Sequence, residues 1–165
     1  AALKTLGINK FIVIDKESEK SRAMEFGAWE FIGSHGKNGV AGVKDKIRAA
    51  AGDMADAVFI CTDSPMGRNV ARRFMKNSGS ICEMGFLCGW RRTPTARYFE
   101  DSMPAGGRFY AARDYENCMN FLAKAAEMKL PLYKLITHRY KLEEINEAMW
   151  TVVREEGLGI AVFNR

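Results

Sequence analysis

The stretch Phe11-Ile12-Val13-Ile14-Asp15 decides the fold, because four apolar residues, three of them β-branched, end there in a carboxylate. A continuous apolar run of this kind predicts a strand that is buried on both faces, as in a parallel sheet. The aspartate that closes the strand lies at the carboxyl end of the sheet. Open α/β sheets bind ligands at that edge, so Asp15 is the first candidate binding residue.

The alternation of strand and helix continues beyond this strand. We expect further strands at residues 29–32, 57–61 and 80–84, and helices at residues 17–26, 43–51 and from Ser64 onward. A glycine-rich loop is expected from Gly33 to Gly42. Strands and helices that alternate over short connections indicate a parallel sheet with helices on both faces.

The second half of the chain has a less regular pattern. We expect, in order, an irregular loop at 86–107 with a turn at 103–107, a short strand at 108–112, a helix from Asp114 to about Met128, an extended segment at 135–137 and a strand at 159–163. Residues 141–154 predict an amphipathic helix. Its apolar stripe consists of Leu142, Ile145, Met149 and Val152.

The composition indicates a folded globular chain. Hydrophobic residues make up 47% of the 165 residues, which argues against disorder. No apolar run approaches the ~20 residues of a membrane span, and no signal peptide opens the chain, so no membrane association is expected. The net charge of +5 is interpreted as a solvated surface, because the basic patches are short and lie in different elements. We therefore expect no nucleic-acid partner.

The cysteines and histidines do not form a recognisable metal or disulfide pattern. The four cysteines are Cys61, Cys82, Cys88 and Cys118. Their spacing matches neither a zinc knuckle nor a disulfide framework. The two histidines are far apart in sequence, so no metal site is predicted. Reduced thiols and a cytoplasmic location are the expectation.

Five stretches resemble, in order and at near-family spacing, the medium-chain dehydrogenase/reductases, particularly the zinc-dependent alcohol and polyol dehydrogenases. They are Leu6-Gly7-Ile8 with the strand that ends at Asp15, residues 23–28, residues 56–62, residues 79–85 and residues 135–149. The last of these, LITHRYKLEEINEAM, is the most specific, because the others are common to many nucleotide-binding α/β folds.

The resemblance implies a set of cofactor-binding residues. Asp15 would hold the ribose 2′- and 3′-hydroxyls of NAD, and its charge disfavours the 2′-phosphate of NADP. Lys20 would lie near the same ribose, and Cys61 and Thr62 would pass beside the adenosine. The residues on the nicotinamide side would be Met84, Gly85 and Phe86.

Structural explanations compete with each of these roles. Asp15 is also placed to cap the helix that follows it. Lys20 is also explained as a solvated helix charge, and Met84 and Phe86 as core residues. These alternatives stay open from the sequence alone.

The departures from the family define the expected architecture. The Gly-x-Gly-x-x-Gly turn that cradles the cofactor pyrophosphate has no counterpart in this chain, and neither has the first strand. We therefore expect an α/β, Rossmann-type parallel sheet with flanking helices, truncated at the N-terminus. In the family strand order 3-2-1-4-5-6 the missing strand is central, so a gap should separate the two halves of the sheet.

The expected domain organisation follows the resemblance. Residues 1–134 would form a partial Rossmann-like NAD-binding domain, and residues 135–165 a C-terminal segment that in the family returns to the catalytic domain. The family's zinc ligands and proton relay lie in that catalytic domain. No catalytic or metal-binding residue is therefore assigned in this chain.

Two functions remain in competition. The first is the cofactor-binding part of an NAD(P)-dependent alcohol dehydrogenase-like oxidoreductase, inactive as an isolated chain and assembled as a homo-oligomer. The second is a non-catalytic remnant that acts as a nucleotide-binding or assembly module. A methyltransferase is disfavoured, because the C-terminal helix and strand do not fit the hairpin of that class.

Overall fold

The computed structural model describes residues 1–34, 39–62, 65–84, 104–105, 111–112, 114–154 and 160–163. The helices are α1 (Ala2–Thr5), α2 (Lys20–Glu25), α3 (Gly39–Ala51), α4 (Pro65–Ala71), α5 (Asp114–Glu127) and α6 (Ile145–Val153). The strands are β1 (Ile12–Asp15), β2 (Glu30–Gly33), β3 (Ala55–Ile60), β4 (Met75–Glu83), β5 (Pro104–Ala105), β6 (His138–Lys141) and β7 (Ile160–Phe163). Short 3₁₀ turns occupy Glu17–Glu19, Arg72–Phe74, Leu132–Leu135 and Leu142–Glu144.

The first sheet contains β1 and β2 in parallel. Ile12 lies beside Glu30 and Asp15 beside Gly33, so both strands end at the same edge. The connection between them runs through α2, which ends before Gly27. Gly27 has a φ of +90°, a conformation that glycine adopts without the steric cost of a side chain. The predicted strand–helix–strand unit is confirmed.

The second sheet contains β3, β4 and β5, also in parallel. The β3–β4 register shifts near Ala57, where a side chain at Gly79 would come within 2.9 Å of the Asp56 carbonyl oxygen. Among the described residues no strand pairs with β1 on its other side, and none with β3 on its other side. The predicted parallel α/β fold with a gap in its sheet is confirmed.

One apolar core joins the two sheets. Its buried members are Ile32, Val43, Ile47, Met54 and Phe74, and Ile12, Ile14, Val40 and Val70 pack against them. The sequence correctly predicted that Val43 and Ile47 of α3 face inward. Each fully buried side chain of this size contributes about 1.5–3 kcal/mol. Helix α3 therefore holds β1 and β2 to the elements around β4.

The C-terminal half (residues 114–163) contains α5 and the β6–α6–β7 unit. Strands β6 and β7 form a two-stranded parallel sheet. The Tyr140 hydroxyl lies 2.8 Å from Thr151 Oγ1, and the Thr151 hydroxyl also donates to the Glu147 carbonyl. These bonds fix α6 to β6. The expected domain boundary after residue 134 falls inside the 3₁₀ turn Leu132–Leu135.

Three local predictions are corrected. Helix α3 begins at Gly39 rather than at residue 43, because Val40 packs on the core. Residues 104–105 extend the second sheet instead of turning, and residues 111–112 are not a strand. The sequence predicts no strand at residues 138–141, but one forms there because these residues pair with β7.

The apolar stripe of α6 and the turn before it is exposed. Leu142, Ile145, Met149 and Val152 have exposed fractions of 47%, 41%, 59% and 56%. Helix α6 instead buries Ala148 and Thr151. The sequence pattern therefore identifies the apolar face of this helix, but the described residues do not cover that face.

Candidate functional site

Asp15 ends β1 with an exposed side chain. Its Oδ1 accepts a hydrogen bond from the Lys16 backbone N–H at 2.7 Å, and its backbone carbonyl accepts one from the Ser34 N–H at 2.7 Å. The 3₁₀ turn at Glu17–Glu19 receives no side-chain cap. Asp15 therefore fixes the adjacent backbone without capping the following turn, and its carboxylate faces solvent at the strand end.

Lys20 begins α2 close to this strand end. Its Nζ lies 3.8 Å from Glu17 Oε1, and the two side chains are 59% and 71% exposed. Exposed pairs of this kind contribute about 0–1 kcal/mol, so the ion pair does not hold Lys20 firmly. The lysine side chain is free to change partner when an anion or a hydroxyl approaches.

Cys61 and Thr62 follow β3 directly, as predicted. Partial burial raises the pKa of the Cys61 thiol, and the nearby Cys82 raises it further. A raised pKa keeps the thiol protonated at neutral pH. Cys61 is therefore not an activated nucleophile or a ready metal ligand, since both roles require the thiolate.

Met84 follows β4 and has an exposed side chain. Its backbone N–H donates to the Ile60 carbonyl at 2.9 Å, so the ends of β3 and β4 are tied together. The alternative that Met84 is a core residue does not hold, because its exposed fraction is 66%. Gly85 and Phe86 lie outside the described residues.

The predicted residues form two groups. Asp15 and Lys20 lie at the carboxyl end of the first sheet, and Cys61, Thr62 and Met84 follow the strands of the second sheet. Carboxyl ends of parallel strands are where α/β sheets bind ligands. The arrangement thus provides an exposed carboxylate in one group and an exposed thioether in the other.

Sequence reasoning missed two residues at this edge, Glu17 and Gly33. The carboxylate of Glu17 lies over Gly33, within 2.5 Å of the position that a Cβ at residue 33 would occupy. Gly33 is in register with Asp15. The signal in the sequence is the pair Asp15-x-Glu17 together with a glycine at the end of the next strand.

The potential metal ligands of the chain are its histidine, cysteine and acidic side chains. Among the described residues, no group of three or more histidine, cysteine or acidic side chains is arranged to hold a metal ion. The described side chains therefore do not fit a zinc site. In the same residues, no helix is long and apolar enough to cross a membrane.

Solved structures share this fold over nearly the whole chain. An alcohol dehydrogenase from Thermotoga maritima matches with a TM-score of 0.81 at 18% identity, covering 98% of this chain and 45% of that one. The 2R,3R-butanediol dehydrogenase from Bacillus subtilis matches with a TM-score of 0.69 at 21% identity, covering 99% and 46%. The fold is therefore that of the alcohol dehydrogenase class.

Sequence comparison finds two related enzymes. Sorbitol dehydrogenase 1 of Saccharomyces cerevisiae is 26% identical over 153 residues, which represent 90% of this chain and 42% of that enzyme. Sorbitol dehydrogenase 2 of the same yeast gives the same values. No family model matches the chain. These matches support the resemblance to the medium-chain dehydrogenase/reductase superfamily, and the chain spans less than half the length of these relatives.

Proposed function

We propose that the chain is the cofactor-binding part of an NAD(P)-dependent, alcohol dehydrogenase-like oxidoreductase, and that Asp15 binds the adenosine ribose of NAD. The observation that carries the proposal is the position of Asp15. It is an exposed carboxylate at the carboxyl end of a parallel strand, in register with Gly33 of β2. A carboxylate there accepts hydrogen bonds from two adjacent hydroxyls.

The other predicted residues complete this proposal. Lys20 lies one turn away and is held only by an exposed ion pair, so it can turn towards the ribose. Cys61 and Thr62 would line the adenosine path, and Met84, with Gly85 and Phe86, would line the nicotinamide side. The charge of Asp15 favours NAD over NADP.

The chemistry would be divided between this chain and the remainder of such an enzyme. When bound, NAD supplies a nicotinamide ring that accepts a hydride from an alcohol carbon. The residues of this chain bind and orient the nucleotide. No residue of the described part of the chain is assigned to zinc, because no group of three or more potential ligands comes together there. The isolated chain is therefore proposed to bind the cofactor without catalysing turnover.

A second candidate is a non-catalytic assembly module. The observation in its favour is the exposed apolar stripe on α6 and the turn before it, since apolar faces left open on a folded chain mark association surfaces. Homo-oligomer formation would cover such a face. This candidate predicts a concentration-dependent mass and no nucleotide binding.

Calorimetry with millimolar NAD tests the first proposal. We expect weak binding to the wild-type chain and about tenfold to hundredfold weaker binding to Asp15→Ala, because a charge-assisted hydrogen bond contributes about 1.5–3 kcal/mol. Asp45→Ala is the matched control, since Asp45 is an exposed aspartate on α3 that pairs with Arg48. Equal affinity of wild type and Asp15→Ala would contradict the assigned role, and no binding to a folded chain would favour the assembly module.

A further inference from the structure

The parallel register of β1 and β2 places the Glu17 carboxylate beside Asp15. Residues in register on adjacent parallel strands direct their side chains to the same face of the sheet, and Asp15 is in register with Gly33. A Cβ at Gly33 would lie 2.5 Å from Glu17 Oε2. The Glu17 carboxylate therefore occupies the place that a side chain at residue 33 would take.

Two carboxylates thus lie on one face of the sheet, because the Glu17 carboxylate lies at the Cβ position of residue 33, which is about one strand spacing (~4.8 Å) from the Cβ of Asp15. The Glu17 side chain is 71% exposed. Lys20 is the cation in ion-pair distance of Glu17. The edge that Asp15 offers to a ribose is therefore more acidic than Asp15 alone would make it.

We propose that Glu17 is a second acidic determinant of nucleotide choice, which disfavours a 2′-phosphate on the adenosine ribose, and that Gly33 leaves the room for it. The inference rests on the proposed nucleotide site. A 2′-phosphate beside Asp15 would lie close to the Glu17 carboxylate as well, and like charges a few ångströms apart repel even in water.

The test compares two probes, ADP-ribose and 2′-phospho-ADP-ribose, by calorimetry at low ionic strength. The measured quantity is the ratio of their dissociation constants. Glu17→Gln should shift this ratio about threefold to fivefold towards the phosphorylated probe, since removing one exposed charge near 4–5 Å changes the repulsion by that order. The shift should shrink at 1 M salt, where the Debye length is about 3 Å.

Glu30→Gln is the matched control. Glu30 is the first residue of β2 and lies three residues, about 10 Å, from Gly33, so it carries the same charge at the opposite edge. The ratio of the two dissociation constants in Glu30→Gln should equal that of the wild type. An unchanged ratio in Glu17→Gln, with ADP-ribose still bound, would overturn this inference and leave the proposed site standing. Failure of the folded wild-type chain to bind either probe would overturn both this inference and the proposed nucleotide site.

Discussion

The two halves of the described chain use similar apolar patterns but reach different degrees of burial. In the N-terminal half (residues 1–84), helix α3 buries Val43 and Ile47 in one core with Ile32, Met54 and Phe74. In the C-terminal half, the apolar side chains of α6 are exposed, with Met149 at 59% and Trp150 at 55%. Among the described residues of that half, the buried hydrophobic side chains are the small ones of Ala125 and Ala148.

This difference teaches that periodicity and burial are separate properties. A helical pattern places apolar residues on one face because 3.6 residues make a turn, and this holds for both α3 and α6. Burial needs a second surface opposite that face. Strand β2 and the 3₁₀ turn Arg72–Phe74 supply it for α3, whereas β6 and β7 cover only the side of α6 that contains Ala148 and Thr151.

Truncation of a core side chain should give the largest effect. Phe74 is 5% exposed within the core that joins the two sheets, so Phe74→Ala should lower the free energy of unfolding by about 3–5 kcal/mol. Met149→Ala should change it by less than about 0.5 kcal/mol, because the side chain is already exposed. Urea denaturation measures both. Equal losses of unfolding free energy in the two variants would show that the Met149 side chain of α6 is buried in solution. The two halves would then not differ in burial.

The order of elements in the N-terminal half could be predicted from the sequence. The apolar runs that end at Asp15 and Ile60 each form a strand, and Val43 and Ile47 of the intervening helix face inward. These assignments succeed because local propensity and tertiary packing agree. The sequence predicts the start of α3 too late in the chain, because Gly39 and Gly42 are typical of a loop. In the structure the packing of Val40 extends the helix.

Pairing between distant segments could not be predicted in the same way. Strand β6 has the sequence His138-Arg139-Tyr140-Lys141, which has no apolar run, and it forms because it pairs with β7. At the candidate site, the position of Asp15 follows from its place at the end of β1. The approach of Glu17 to Gly33 depends on the β1–β2 register, which no local pattern reveals.

A smaller effect is expected inside the C-terminal half. Tyr140→Phe removes the hydroxyl that lies 2.8 Å from Thr151 Oγ1 and should cost about 0.5–1.5 kcal/mol. Native-state hydrogen exchange shows which elements lose stability in this variant. We expect faster exchange in β6 and α6 and unchanged exchange in β1–β4, because the lost hydrogen bond joins β6 to α6. Tyr133→Phe is the control, since Tyr133 is 70% exposed. Faster exchange throughout would show that both halves unfold as one unit.

The smallest effect concerns the ion pair that connects the halves, in which Lys134 Nζ donates to the Glu25 carboxylate of α2. This hydrogen bond raises the pKa of Lys134 above 10.5, outweighing the partial loss of solvation. A raised lysine pKa gives stability that is complete below the unfolded value of 10.5 and disappears as the pH rises through the folded value.

Because the pair is exposed, salt screens it, and titration reports it better than denaturation does. Glu25→Gln should lower the pKa of Lys134 towards 10.5, as followed by NMR of its side-chain carbons between pH 9 and about 12. Glu127→Gln, which removes an acid from the end of α5, should leave that pKa unchanged. If Glu25→Gln has no effect, Lys134 is not paired across the halves in solution, and the contact of α1 with α5 remains as their connection.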